Sequence, residues 1–177
     1  YDFSKASTIV SIAADFLGGW LSSSIEFGQQ YAKTREVTNE KKDMSRHYQF
    51  ESVLSITGAN ADYRAQIKPS QEGAVAVALY NLLATKAGRP AISGGEVKVN
   101  QLAKAAEDLW NNRGKSLVVA GSNDKAVQLV VNGINDILGS YGTTINTGVL
   151  VNYKQGDDES MANFISDAEG GKIGAVI

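Results

Sequence analysis

Short apolar runs alternate with longer segments of helical periodicity along this chain of 177 residues. Runs such as STIVSIA and SLVVAG are rich in β-branched residues, as is typical of strands that a parallel sheet buries on both faces. Six such runs predict strands, at residues 7–13, 47–56, 62–68, 116–121, 144–151 and 172–177. Apolar residues spaced three and four apart predict five helices, at residues 22–37, 70–86, 99–113, 122–142 and 157–171.

The same spacing predicts which helix residues face the core. In the helix at 70–86 the apolar positions are Val75, Leu79, Leu82 and Leu83. In the two helices that follow, they are Val99, Leu102, Ala106, Leu109 and Trp110, and then Val127, Val130, Ile134, Ile137 and Tyr141. We expect each helix to present one apolar stripe to a common sheet.

Strands separated by helices of ten or more residues indicate βαβ units. The predicted fold is therefore α/β, with a three-layer, mostly parallel, Rossmann-like sheet and helices on both faces. We expect residues 1–177 to form a single domain and any site to lie at the carboxyl ends of the strands. Because the chain ends on the apolar run KIGAVI with no turn after it, we interpret it as a fragment excised from a longer chain.

Charge and composition exclude several classes of function. A formal net charge of −2 provides no field that would gather nucleic acid. With no cysteine, these residues supply no thiolate nucleophile and no iron–sulfur ligand. No apolar run approaches the roughly 20 residues of a membrane helix, so we expect no direct membrane insertion.

Two common nucleotide-binding motifs, G-x-G-x-x-G and G-x-x-x-x-G-K-[ST], are missing from the sequence. A remaining candidate is AGSND, where a predicted strand ends at Gly121 and Ser122 and Asn123 lead into a helix. Such a junction can cradle a phosphate, but it is more often an ordinary βα turn, and we favour that interpretation.

Another candidate is the junction KPSQEG, where Pro69 precedes a helix with Glu72 in its first turn. Free N–H groups and the positive end of the helix dipole make this either a ligand site or a well-capped helix start. The only histidine, His47, is interpreted as a strand residue with a satisfied hydrogen bond. No G-x-S-x-G elbow positions a nucleophilic serine.

The order of four motifs resembles a known family. IVSIAADFLGGW, SRHYQFESVLSITGANADYRAQIKPSQEG, GKSLVVAGSND and INDILGSYG are similar to the molybdopterin-oxidoreductase-like part of the iron–sulfur subunit of alternative complex III, a quinol-oxidising respiratory assembly. The resemblance covers nearly the whole chain. In the wider molybdopterin oxidoreductase superfamily the central block reads Thr…Ala-Asp…Ile-x-Pro-Gly-Thr-Asp-x-Ala-Leu, and its last acid helps hold the guanine of the pterin nucleotide.

This chain matches part of that block and departs from the rest. The matching positions are Thr57, Ala61, Asp62, Ile67, Pro69, Ala74 and Val75. Ser70 and Gln71 replace the Gly-Thr pair, and Glu72 stands where the family has Asp. Loss of the glycine removes close backbone approach, and the longer acid displaces the carboxylate. We therefore interpret Glu72, Gly121, Ser122 and Asn123 as a vestigial cofactor-binding set.

The resemblance implies a non-catalytic structural domain on the periplasmic side of the cytoplasmic membrane, attached peripherally. It implies contacts with the rest of the parent chain and with other subunits of a membrane respiratory complex, and iron–sulfur clusters elsewhere in that parent chain. Two alternatives stay open: an active molybdopterin-binding domain whose metal ligands lie outside this chain, and a free-standing nucleotide-binding enzyme.

Overall fold

The computed structural model describes residues 1–21, 23–149 and 156–176. Within them lies one sheet of four parallel strands, namely β1 Thr8–Ile12, β2 Arg46–Glu51, β3 Tyr63–Gln66 and β4 Ser116–Ala120. The helices are α1 Ser24–Arg35, α2 Ile56–Ala59, α3 Glu72–Ala87, α4 Leu102–Asn111, α5 Lys125–Ile137 and α6 Asp158–Glu169. Short 3-10 turns span Phe3–Lys5 and Pro69–Gln71. The predicted α/β class is confirmed.

Side chains of the strands alternate between two apolar layers. Val10 and Ile12 of β1 pack beneath α3, α4 and α5 in the larger cluster. Ile9, pointing to the opposite face, packs with Phe16, Phe27 and the 3-10 turn of the first residues. The sheet is therefore the middle of three layers, as the strand composition predicts.

The strands follow the spatial order β3-β2-β1-β4. The chain adds β2 and β3 on one side of β1 and then crosses to place β4 on the other side. This order is that of the first four strands of a doubly wound sheet, whose ligands bind at the carboxyl ends of the strands where the winding reverses. In this chain that point lies between β1 and β4.

Side chains complete the outer edge of β4. Asn135 of α5 accepts from the Val118 N–H at 3.0 Å and donates to the Val118 carbonyl at 2.7 Å. The hydroxyls of Ser140 and Thr144 donate to the Ser116 carbonyl at 2.8 and 2.7 Å. With these backbone groups satisfied, β4 offers little to a further strand.

The last two predicted strands are wrong where the structure describes them. Residues 144–149 form turns and one isolated bridge, between Tyr141 and Ile145, and residues 172–176 contain no strand. Residues 150–151 and 177 of those predictions lie outside the described residues, as does Ser22 at the start of the first predicted helix. For residues 144–149 the physical reason is the completion of the β4 edge by side chains, which the sequence period does not reveal.

The strand predicted at 47–56 is too long. It ends at Glu51, and Val53 and Leu54 that follow are exposed rather than buried. Ser55 then caps the short helix α2 by accepting a hydrogen bond from the Gly58 N–H at 2.9 Å. A local cap therefore prevails over the apolar run.

Four assigned helix positions need correction. Val99 lies before α4, which begins at Leu102. Leu82 of α3 is exposed, and the buried face continues through Leu83 and Ala84 instead. In α5 the buried centre is Val131, whereas Val130 is only partly buried, and Tyr141 lies beyond the helix end.

The side chains of Ser23, Asp124 and Asp157 cap the amino-terminal ends of α1, α5 and α6. No helix among the described residues is long and apolar enough to span a membrane.

Candidate functional site

The residues predicted to form a vestigial cofactor site lie at one edge of the sheet. Gly121 to Asn123 follow the carboxyl end of β4, and Glu72 is the first residue of α3. A Cβ placed on Gly73 would lie 3.5 Å from Cγ2 of Val127. The first turns of α3 and α5 are therefore neighbours, and the fold brings the two candidate segments to the same edge.

Backbone contacts close the crevice between β1 and β4. The Gly121 N–H donates to the Ile12 carbonyl at 2.9 Å. A Cβ at position 121 would stand only 2.3 Å from the Ala13 carbonyl oxygen, so this approach requires glycine. Ala13 itself has a φ of 55°, a left-handed conformation that is strained for a residue with a Cβ. The ends of β1 and β4 are therefore in direct backbone contact at the switch point.

The turn after β4 is hydrogen-bonded to itself. Ser122 Oγ accepts from the Asp124 N–H at 3.1 Å, and the Asp124 carboxylate accepts from the Ala126 N–H at 2.7 Å. Gln128 Nε2 donates to the carbonyls of Ala120 and Ser122, at 3.1 and 2.6 Å. These are the bonds of a capped βα turn, and they use groups that a phosphate would otherwise contact.

Glu72 differs from its neighbours because, in the part of the chain that the structure describes, its carboxylate has no hydrogen-bond or ion-pair partner. Partial burial raises the pKa of this carboxyl, the direction opposite to that of a carboxylate held by a helix dipole. Just before it, Gln71 Oε1 accepts from the Lys68 N–H at 2.9 Å. Gln71 thus closes its own turn.

Sequence reasoning missed the acid at the end of β1. Asp15 Oδ1 accepts from the N–H and hydroxyl of Thr57, at 3.0 and 2.7 Å. The Thr57 hydroxyl also accepts from the Leu17 N–H at 2.9 Å. This linkage ties the loop after β1 to α2. The position of Asp15, just after the strand predicted at 7–13, was the signal in the sequence that could have identified this acid.

A second missed acid is Glu51, at the carboxyl end of β2. It accepts from Ser55 Oγ and Arg64 Nε, both at 2.6 Å, and from Gln49 Nε2 at 2.9 Å. Burial acts to raise the pKa of Glu51, but these donors outweigh it and the pKa is lowered. Glu51 is therefore a paired, ionised acid.

Glu51 is one end of a polar row along β2. His47, Gln49 and Glu51 all point to the face covered by α1, and all are buried. His47 Nε2 lies 3.2 Å from Gln49 Oε1, and its Nδ1 lies 3.2 Å from the Tyr31 hydroxyl. The interpretation of His47 as a hydrogen-bonded strand residue is confirmed. In H-Y-Q-F-E polar residues alternate with aromatic ones, and alternate residues of a strand point to the same face. This alternation was the signal in the sequence that could have identified the row.

Several candidate polar groups at this edge are already bonded within the chain. The hydroxyl of Ser122, the acid of Asp124 and the amide oxygen of Gln71 accept hydrogen bonds from backbone N–H groups, whereas the side chains of Glu72 and Asn123 have no hydrogen-bond partner among the described residues. Within the described ranges, no group of three or more His, Cys, Asp or Glu side chains could hold a metal ion.

Comparison of the chain with protein-family models and with curated proteins finds no match in either set. A function for this chain therefore has to be argued from the edge residues and from the motifs of its sequence.

Proposed function

We propose that this chain is a non-catalytic, molybdopterin-oxidoreductase-like structural domain of an iron–sulfur electron-transfer subunit in a quinol-oxidising respiratory complex. The observation that carries the proposal is the closed carboxyl edge, where the backbone of Gly121 lies against Ala13. A doubly wound sheet keeps its ligand crevice at that point when it binds a nucleotide. Here the two strand ends are in backbone contact at that point, and the order of the sequence motifs resembles that of the family.

The proposal places the electron-transfer chemistry outside this chain. Iron–sulfur clusters need cysteine ligands, and the sequence has none. The clusters belong to the rest of the parent chain, and this domain supplies a rigid three-layer body beside them. No catalytic residue is assigned here.

An exposed apolar loop supports a role in assembly. Val53, Leu54 and Ile56 follow β2 at the carboxyl edge and are between 60 and 76% exposed. Clustered large apolar side chains on a surface are typical of contact sites. The rest of the parent chain, or another subunit on the periplasmic side of the membrane, is the partner that the proposal assigns to this loop.

The test is purification of the tagged full-length protein from solubilised membranes. We expect it to elute with other subunits, non-haem iron and quinol oxidation activity. Acid oxidation of the same sample should release no fluorescent pterin. Elution of the tagged protein alone, without other subunits or iron, would contradict the assembly role.

One observation favours a second candidate, an active molybdopterin-binding domain. Glu72 is half-buried, carries a raised pKa and has no polar partner among the described residues. A carboxylate in that state can accept two N–H donors from a guanine edge. Residues outside this chain would then hold the metal.

The pterin measurement separates the two candidates. A fluorescent pterin released in a 1:1 ratio to the tagged protein would establish the second candidate and eliminate the first. If pterin is found, Glu72→Gln should lower its occupancy, whereas Glu36→Gln, an exposed acid at the far end of α1, should not.

A further inference from the structure

A large basic pocket lies at the opposite, amino-terminal edge of the sheet. Its volume is about 1020 Å³, and the starts of β1, β2 and β4 form its floor. The cationic residues that line it are Lys5, Lys33, Lys41, Arg46 and Lys115, against two acids, Asp43 and Asp108. This excess of positive charge stands out in a chain whose net charge is −2.

The cations converge from separate parts of the sequence. Lys5 ends the first 3-10 turn and Lys33 lies in the last turn of α1. Lys41 precedes β2, Arg46 begins it, and Lys115 precedes β4. Such convergence is a property of the fold, not of a charged run. The helix dipole explains the position of Lys33, because cations stabilise the carboxyl ends of helices. It does not explain Lys115, which lies four residues past the end of α4.

Several of the charges are not neutralised by the protein. Arg46 pairs with Asp108 at 2.8 Å, and Lys5 pairs with Asp2 at 3.1 Å. In the part of the chain that is described, Lys33, Lys41 and Lys115 have no carboxylate partner. Lys41 Nζ donates instead to the Lys33 carbonyl at 3.0 Å, which holds its ammonium beside Lys33.

The floor of the pocket is held rigidly. The Ser7 N–H donates to the Lys115 carbonyl at 2.7 Å, and the Arg46 N–H donates to the Ser7 carbonyl at 2.9 Å. Hydroxyl groups of Ser7, Ser45 and Thr143 are also on the lining. The wall therefore offers ammonium and hydroxyl groups over a fixed base, a combination that suits a polar anion.

We propose that this basic pocket binds a small anion of the phosphate class that carries two or more negative charges. Lys33, Lys41 and Lys115 supply the uncompensated charge, and the Ser7 hydroxyl supplies a neutral donor. The proposal is independent of the function proposed above, since the pocket lies at the other edge of the sheet from Glu72 and Gly121.

The test is calorimetric titration of the chain with inorganic pyrophosphate at low ionic strength. We expect saturable 1:1 binding that weakens as salt is added, because exposed charges are screened. The Lys33→Gln, Lys115→Gln double variant should bind about tenfold more weakly, since it loses two charge-assisted contacts. The control is Lys98→Gln with Lys125→Gln, which changes the net charge equally but leaves the pocket intact.

Absence of saturable binding by the unmodified chain would overturn the proposal, as would an equal loss in the control double variant. Thermal melting checks that each variant is folded. If the pocket double variant does not fold, Lys115→Gln alone serves, with an expected loss of about threefold from one contact. Unchanged pyrophosphate affinity in that folded single variant would also contradict the site.

Discussion

At the scale of single residues, the hydrogen bonds of His47 determine which of its nitrogens carries the proton. Gln49 donates its amide to Glu51, so its oxygen faces His47 Nε2, which must be the N–H. The Tyr31 hydroxyl lies 3.2 Å from Nδ1 and donates its own hydrogen to the Asn60 carbonyl at 2.9 Å.

This arrangement predicts a pH-dependent stability. Burial lowers the pKa of His47 from 6.5 to about 4, although Asp62 and Glu51 nearby oppose that shift. Between those values the unfolded chain binds a proton that the folded chain does not, so the free energy of unfolding falls as the pH is lowered. We expect a loss on the order of 2–3 kcal/mol between pH 6.5 and 4, measured by urea denaturation.

The control for this prediction is His47→Gln. The chain has no other histidine, so the variant should be less stable at neutral pH but nearly insensitive to pH from 6.5 to 4.5. Paired acids such as Glu51 and Asp62 have lowered pKa values, so their contribution to the free energy of unfolding is lost only below this pH range. A wild-type chain equally stable at pH 6.5 and 4.5 would contradict the neutral assignment of His47.

Gly121 gives a second prediction at this scale. In Gly121→Ala the new methyl would meet the Ala13 carbonyl at 2.3 Å, and a backbone atom cannot move aside cheaply. We expect a loss of about 2–3 kcal/mol in the free energy of unfolding. Gly28→Ala is the matched control, because its Cβ meets no described atom within 4 Å. Inside α1 it should stabilise by about 0.5–1 kcal/mol.

At the scale of elements, α5 carries the clearest prediction. Val131 is 1% exposed, whereas Leu129 on the same helix is 61% exposed. Val131→Ala removes buried methyl groups and should cost roughly 1–3 kcal/mol, and Leu129→Ala should change the free energy of unfolding by under about 0.5 kcal/mol. Chemical denaturation of the two variants checks the facing of the helix, and equal midpoints would show it to be wrong.

Elements with strong local patterns were predictable from the sequence. The runs STIVSIA and SLVVAG identify β1 and β4, because a strand buried on both faces needs apolar residues throughout. The helices α1, α3, α4 and α5 appear in their predicted regions because caps and a 3.6-residue period act within each segment.

Elements decided by tertiary contacts were not predictable. The run TINTGVLV has strand composition, yet the edge it would join is satisfied by Asn135, Ser140 and Thr144. The apolar residues of SVLSI favour a longer β2, but Ser55 begins a helix there. Which polar side chains would complete a strand edge depends on packing between distant segments, and no local period encodes it.

The candidate site was predictable only in part. The end of β4 and the start of α3 were identified as candidate segments from turn residues and motifs, and the fold places them at one edge. The partners of the edge acids were not predictable, since Asp15 and Thr57 are 42 residues apart. Those partners are what distinguish a closed edge from an open one.

At the scale of the whole molecule, the two edges of the sheet differ in chemistry. The carboxyl edge holds Asp15 and Glu51 in hydrogen bonds to the protein and is closed at Gly121. The amino edge holds a wide pocket in which Lys33, Lys41 and Lys115 have no carboxylate partner among the described residues. The proposed scaffold role assigns no ligand to the carboxyl edge, whereas the proposed anion site lies at the amino edge.

The most direct test of the closed edge is calorimetric titration of the chain with guanosine, which carries no phosphate for the basic pocket to bind, repeated with Glu72→Gln. Because the backbone of Gly121 lies against Ala13 and the adjacent turn bonds to itself, we expect no saturable heat for either protein up to millimolar nucleoside. Saturable 1:1 binding that Glu72→Gln weakens would contradict the account.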